Sequence, residues 1–241
     1  MKKEYWIILI VYIAMQLSTF IGMPALAWGF KYWGINRNLA IPAWLIISFT
    51  IALIIILLIL RKERHAPGLR GNKKSSAGHS VMWAFIGFFL ALFSQYVAAM
   101  IEYLLGITPG SENTQQILKI IELFPMAMIV TSIIGPILEE IVFRKIIFGS
   151  LYRRFNFFIS ALISSLVFAA AHMDFQHIII YTAMGLTFAF LYVKTNRIIV
   201  PIFAHVTMNT MVVLVQSVYR EDIEKLQRDL EAIQNFIGGF L

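Results

Sequence analysis

The sequence predicts an all-α protein, a polytopic membrane bundle of about seven to eight transmembrane helices. Of its 241 residues, 59% are hydrophobic and 14% are charged, whereas soluble domains are typically about 45–50% apolar and about 25% charged. The mean hydropathy of the chain is +0.78. A spanning helix needs roughly 20 apolar residues, so a chain of 241 residues has room for about seven or eight helices with short loops. We expect a single transmembrane domain over residues 1–218 and a tail over 219–241.

The predicted helices follow the hydrophobic runs between charged and turn-forming residues. Pro42 suits the first turn of a helix, where its missing N–H has no partner to lose. Gly135 and Pro136 predict a kink, and the mixed segment 112–122 predicts a surface helix. The hydrophobic helices are expected at 5–30, 42–60, 81–105, 124–150, 157–173, 177–193 and 198–218.

The tail carries apolar residues at alternating steps of three and four, with charged residues opposite them. This pattern is typical of an amphipathic helix. We interpret it as an interfacial or packing helix, and a short self-association helix is the alternative. The apolar residues are Ile223, Leu226, Leu230, Ile233 and Ile237.

Basic residues indicate the orientation of the chain. Most of them fall in the loops 61–80, 144–154 and 194–197, whereas the loop 106–116 has none. Because cytoplasmic loops carry an excess of Lys and Arg, the N-terminus is expected in the cytoplasm. The prediction is an integral, multi-pass protein of the bacterial cytoplasmic membrane.

Composition also excludes several classes of function. The chain has no cysteine, which excludes disulfides, cysteine-ligated zinc and a thiol nucleophile. Its net charge is +7, but in a membrane protein such charge marks cytoplasmic loops rather than a nucleic-acid surface. We therefore expect the chain to contact membrane lipid and not to bind nucleic acid.

Three motifs place polar and ionisable residues inside apolar helices. They are Glu139-Glu140 followed by Arg144, then Phe168 with His172, and then His205 with Asn209. A charge at the centre of a membrane helix costs a few kcal/mol on insertion scales. Such residues mark functional sites by default, and here they indicate hydrolytic chemistry within the membrane.

Helical spacing assigns a first set of roles. Glu140 and Arg144 are four residues apart, so an ion pair is expected, and its simplest purpose is to fix the helix. Glu139 points about 100° away around the helix and is free for another task. His205 and Asn209 also share a face, either as hydrogen-bonding contacts between helices or as donors to an oxyanion.

The hairpin of two of these helices predicts a catalytic pair. Glu139 lies 16 residues before Phe155, and His172 lies 16 residues after Asn156. If both arms are regular helices, the two side chains reach the same level and can share one water molecule. A lone histidine is more often a packed core residue, but a carboxylate and an imidazole together can activate water as general base and partner.

The order EExxxR, FxxxH and HxxxN resembles the CAAX protease and bacteriocin-processing (CPBP, or Abi) family of intramembrane proteases. The resemblance covers about 125–215, within a protease-like core over about 120–218. It implies that Glu139 activates water, His172 assists, and His205 and Asn209 form the oxyanion hole. Glu140, Arg144 and Phe168 are then supporting residues. The implied substrates are hydrophobic or amphipathic peptide precursors, in peptide maturation or degradation or in bacteriocin immunity.

Two alternatives stay open at this stage. No cofactor is expected, but zinc is the alternative, with Glu139, His172 and His205 as its ligands. A non-catalytic scaffold or immunity factor that keeps the protease fold is the alternative to an enzyme. His65 and His79 are expected at the surface and His177 is a weaker candidate for the site. The site itself is expected in the cytoplasmic half of the bilayer.

Overall fold

The computed structural model describes residues 1–62 and 68–219, together with Asp222, Lys225, Arg228, Asp229, Ala232 and Ile233. These residues form eight main helices and no strand. The helices are α1 (Lys3–Tyr32), α2 (Ala40–Arg61), α3 (Ala77–Leu104), α4 (Glu112–Leu123), α5 (127–152), α6 (Phe157–Ala171), α7 (Ile178–Thr195) and α8 (Ile199–Val218). The predicted all-α architecture is confirmed.

Five of the helices are long and apolar enough to cross a membrane, namely α1, α2, α3, α7 and α8. Helix α6 is also apolar but has only 15 residues, fewer than the roughly 20 that a full span needs. Helix α4 follows a Ser111 cap and alternates apolar with polar residues over 12 positions. The protein is therefore an integral, multi-pass membrane protein, and α6 is a shorter apolar helix that packs against α7.

Helix α5 departs from the regular helix that the sequence predicts over 124–150. Two π-helical stretches interrupt it, Val130–Ile134 and Glu140–Phe148, with Gly135–Glu139 in α conformation between them. Pro136 has no N–H to donate to the hydrogen-bond ladder of the helix. The first π segment, with its wider turn, ends at Ile134, two residues before this proline. Gly135 and Pro136 thus directly follow a π segment, a feature that is frequent at functional sites, and the kink itself stays a prediction.

Helix α7 lies at the centre of the bundle and packs against α3, α6 and α8. Phe188 of α7 is fully buried beside Ala91 of α3 and Ala204 of α8. Helices α1 and α2 pair with each other, and Tyr12 of α1 contacts the Phe143 ring of α5 edge-on at 5.9 Å. This packing directs one face of α5, α6 and α8 towards a common interior.

Two expectations lie largely outside the described residues. His65 is not among the described residues, and neither are four of the five apolar positions of the predicted tail helix. Ile233 is described, and its side chain is 55% exposed. The amphipathic tail helix therefore stays a prediction.

The close approach of α6 and α7 depends on Gly185. A Cβ added there would lie 2.5 Å from Ser165 Oγ and 2.9 Å from the Ser165 Cα. We predict that Gly185→Ala lowers the free energy of unfolding by about 1–3 kcal/mol through overpacking, measured by thermal unfolding in detergent. Gly78→Ala is the matched control because open space surrounds Gly78. Equal unfolding temperatures for both variants would contradict this packing.

Candidate active site

Glu140 is the centre of a buried polar cluster that we call the Glu140 cluster, formed with Arg144 and His205. The Glu140 carboxylate is completely buried. Its Oε2 lies 3.4 Å from Arg144 Nε, and its Oε1 lies 3.0 Å from His205 Nδ1. The expected Glu140–Arg144 ion pair is present. Because an ionised carboxylate only accepts, His205 donates to it from Nδ1.

Aromatic rings enclose this cluster. The Arg144 guanidinium lies over the Phe168 ring at 4.1 Å and over the Phe188 ring at 5.4 Å. The His205 imidazole stacks on Phe188 at 4.6 Å. Cation–π contacts of this kind contribute about 2 kcal/mol when they are desolvated. Phe168, which resemblance named only as a supporting residue, therefore has a specific task beside the guanidinium.

Glu139 lies at the edge of the same cluster rather than on a separate face. Its Oε2 is 3.8 Å from His205 Nε2, and its side chain is 21% exposed. The regular-helix argument placed it about 100° from Glu140, free of this cluster. Both carboxylates nevertheless lie beside one imidazole, Glu140 at Nδ1 and Glu139 at Nε2.

His172 follows the last residue of α6, and its tautomer is fixed by the backbone. Its Nδ1 lies 2.9 Å from the Phe168 carbonyl oxygen, which only accepts, so Nδ1 carries the proton. The ring stacks on Tyr181 at 4.2 Å and meets the Phe168 ring at 4.5 Å. Nε2 is then the nitrogen that a water or substrate can use. Tyr181 was missed by the sequence reasoning because it belongs to none of the three motifs.

A cavity of about 340 Å³ is lined by four of the predicted residues, namely Phe168, His172, His205 and Asn209. Glu139 is not part of this lining, and its Oε2 lies 3.8 Å from Nε2 of the lining residue His205. The structure therefore brings the second and third motifs to one cavity. The rest of its polar lining includes four side-chain amides and several hydroxyl groups, and the amides come from Gln95, Asn113, Gln115 and Gln216.

A hydrogen-bonded network, the mouth network, ties His172 to the loop before α4. The Tyr181 hydroxyl lies 3.1 Å from Ser111 Oγ and 3.5 Å from Asn113 Nδ2. Ser111 in turn donates to Asp174 Oδ2 at 2.6 Å. These contacts hold the ring that stacks on His172, and their side chains lie at the open end of the cavity.

Beside this network is a buried pair that the sequence reasoning also missed. Glu102 Oε2 lies 2.7 Å from His177 Nδ1, while its Oε1 accepts from the N–H groups of Ile179 and Ile180 at the start of α7. His177 is therefore committed to a structural pair. The available signal was Glu102 itself, a single carboxylate in an otherwise uncharged apolar helix.

The cavity opens at the end of the bundle that carries the loops 105–111 and 172–177. The basic loops expected in the cytoplasm lie at the other end. His205 is in the second turn of α8 from that basic end, and the depth of the site in the bilayer stays a prediction. His172, however, follows the end of α6, towards the loop residues that line the cavity.

The zinc alternative, with Glu139, His172 and His205 as ligands, stays a prediction. Among the described residues, no group of three His, Asp or Glu side chains is close enough to hold a metal ion.

Comparison with known proteins identifies the class. Residues 121–211 match the family described as type II CAAX prenyl endopeptidase Rce1-like. The chain is 50% identical to "Putative membrane peptidase YdiL" of Bacillus subtilis (strain 168), over 99% of each chain. It is 34% identical to the membrane-embedded CAAX protease MroQ of Staphylococcus aureus (strain USA300), over 90% of each. No solved structure matches.

The chain therefore belongs to the CAAX protease family of membrane-embedded peptidases. The resemblance drawn from the three motifs is confirmed by these relatives. The matched segment contains all three motifs, and the two relatives align with nearly the whole chain.

The two adjacent glutamates are expected to differ sharply in their effect on stability. Glu140→Gln leaves a buried guanidinium without its carboxylate, a change that typically costs about 3–5 kcal/mol. Glu139→Gln changes a partly exposed group and should leave the thermal unfolding temperature in detergent near that of the wild type. The same loss of stability in both variants would contradict the central position of Glu140.

Proposed function

We propose that this protein is an endopeptidase that hydrolyses a peptide bond within the membrane, using water activated by Glu139 and His172 without a metal. The observation that carries the proposal is the arrangement around His205. A buried carboxylate fixes one ring nitrogen, and a partly exposed carboxylate lies beside the other. Glu139 thus differs from Glu140 in having access to water.

The reaction proceeds by general base catalysis. Glu139 takes a proton from water, the hydroxyl oxygen adds to the scissile carbonyl carbon, and the C–N bond breaks as the proton passes to the leaving amine. His172 Nε2 holds the attacking water, since Nδ1 is already bonded to the Phe168 carbonyl. Asn209 donates to the oxyanion from its side-chain amide, a contribution worth about 10²–10³ in rate for one donor. His205 adds a second donor from Nε2 when both of its ring nitrogens carry a proton, because its Nδ1 proton is already donated to Glu140.

The cavity favours a peptide as substrate. Its side-chain amides match the alternating donors and acceptors of an extended backbone, while Ile117, Leu118 and Val213 supply apolar surface beside them. We propose hydrophobic or amphipathic peptide precursors, in peptide maturation or degradation or in bacteriocin immunity.

The charge pattern supports an orientation in the bacterial cytoplasmic membrane with the N-terminus inside. Lys74, Arg153 and Arg197 then lie on the cytoplasmic face, as positive-inside topology requires. The cavity mouth consequently faces the outside, and the substrate segment enters from the extracytoplasmic leaflet.

Catalysis gives the first test. We expect Glu139→Gln and His172→Ala each to slow cleavage at least about 10²-fold, because general base catalysis typically contributes about 10²–10⁴-fold. The assay uses purified full-length protein and a panel of membrane-tethered peptides, followed by mass spectrometry. The matched control is Glu112→Gln, an exposed carboxylate at the start of α4.

The same assay decides the two open alternatives. Cleavage that a chelator abolishes and zinc restores would overturn the metal-free mechanism. If Glu139→Gln kept full cleavage, the assignment of the base would be wrong. A wild-type phenotype in cells that Glu139→Gln leaves unchanged would favour the scaffold.

Sidedness can be measured directly because the native chain contains no cysteine. Thr108→Cys places a thiol on the exposed loop at the mouth, and Lys73→Cys places one on the basic side. In intact cells, a membrane-impermeant maleimide should label only Thr108→Cys, and both variants should react after the cells are opened. Labelling of Lys73→Cys alone in intact cells would reverse the orientation.

A further inference from the structure

A second pocket lies at the basic end of the bundle, far from the cavity of the active site. Its volume is about 200 Å³. Four basic side chains line it, from Lys74, Lys145, Arg153 and Arg197, and none of its described lining residues is acidic. We propose that this basic pocket binds a phosphate-bearing ligand, as the headgroup of an anionic phospholipid or as a free phosphate.

The pocket is assembled from segments that other contacts hold in place. Arg197 Nε donates to the Ser75 carbonyl oxygen at 2.7 Å, and the Ser75 N–H donates to Thr195 at 3.0 Å. Arg70 Nε donates to the Tyr152 carbonyl oxygen at 2.7 Å. The loop before α3 is thereby fixed to the turn between α7 and α8 and to the end of α5. The basic side chains on these segments are held together before any ligand binds.

Two further features of the lining suit an oxyanion that also carries hydroxyl groups. Ile198 and Ile199 bring the start of the 20-residue helix α8 to the pocket wall, and helix N-termini favour anions. Asn196 lines the pocket, and its buried Oδ1 has no hydrogen-bond partner among the described residues. That oxygen can accept from a ligand hydroxyl while the cations bind the phosphate.

The position of the pocket explains why a lipid headgroup fits. Guanidinium and ammonium groups bind phosphate oxygens through charge-assisted hydrogen bonds, and basic pockets between transmembrane helices on the cytoplasmic side bind anionic headgroups. Leu69, Ile198 and the exposed Ile199 supply apolar surface for the adjoining part of a lipid.

The experiment titrates purified full-length protein in neutral detergent with dioleoylphosphatidylglycerol, dioleoylphosphatidylcholine or inorganic phosphate at constant ionic strength. Thermal unfolding is followed by tryptophan fluorescence, since a ligand of the native state raises the unfolding temperature. The test variant is Lys74→Gln with Arg153→Gln. The matched control is Lys73→Gln with Arg154→Gln, which makes the same charge change one residue away, outside the pocket.

We expect the test variant to bind the anionic ligand at least tenfold more weakly, and the control to bind within twofold of the wild type. Stabilisation by the lipid but not by inorganic phosphate identifies a headgroup, and stabilisation by both identifies phosphate itself. All four substituted side chains are exposed, so folding is retained, and Arg153→Lys should keep the binding. Equal weakening in test and control variants, or equal stabilisation by the zwitterionic lipid, would overturn the proposal.

Discussion

The pairing of Glu140 with Arg144 and His205 is the constraint on which the rest of the structure depends. An ionised group inside a membrane bundle must be paired, because an uncompensated buried charge costs several kcal/mol. Glu140 is fully buried and belongs to α5, whereas His205 belongs to α8. Rings from α6 and α7 close over the guanidinium. One carboxylate therefore determines how four helices meet, and the catalytic geometry we propose is a consequence of that pairing.

Both glutamates of α5 lie beside the same histidine of α8. Adjacent residues of a regular helix point about 100° apart, yet the two carboxylates lie at opposite nitrogens of His205, one buried and one partly exposed. A structural and a water-accessible carboxylate are thereby placed in consecutive positions, which explains how a paired-glutamate motif can serve two purposes.

The sequence predicted the features that depend on composition and short-range spacing. The apolar helices, the Glu140–Arg144 pair and the membership of the family follow from such patterns. Contacts between distant segments had no comparable signal. Tyr181 meets His172 and Ser111 only through the fold, and the angle between adjacent residues of a regular helix did not predict that Glu139 lies beside His205. The roles of Glu139, His172, His205 and Asn209 stay predictions that the geometry supports.

The two ends of the bundle differ in a way that separates catalysis from anchoring. In and beside the cavity, the charged groups Glu102 and Asp174 are bound to neighbours, and amide and hydroxyl groups supply most of the remaining polar lining. At the opposite end, basic side chains lie on segments that are held together by hydrogen bonds to backbone carbonyl oxygens. An uncharged peptide segment suits the first surface and an anionic headgroup suits the second. Helix α5 connects the two ends of the bundle, because Arg153 lies at its basic end and Glu139 lies near the cavity. Lipid bound at Arg153 would therefore stabilise the helix that supplies Glu139, the proposed general base.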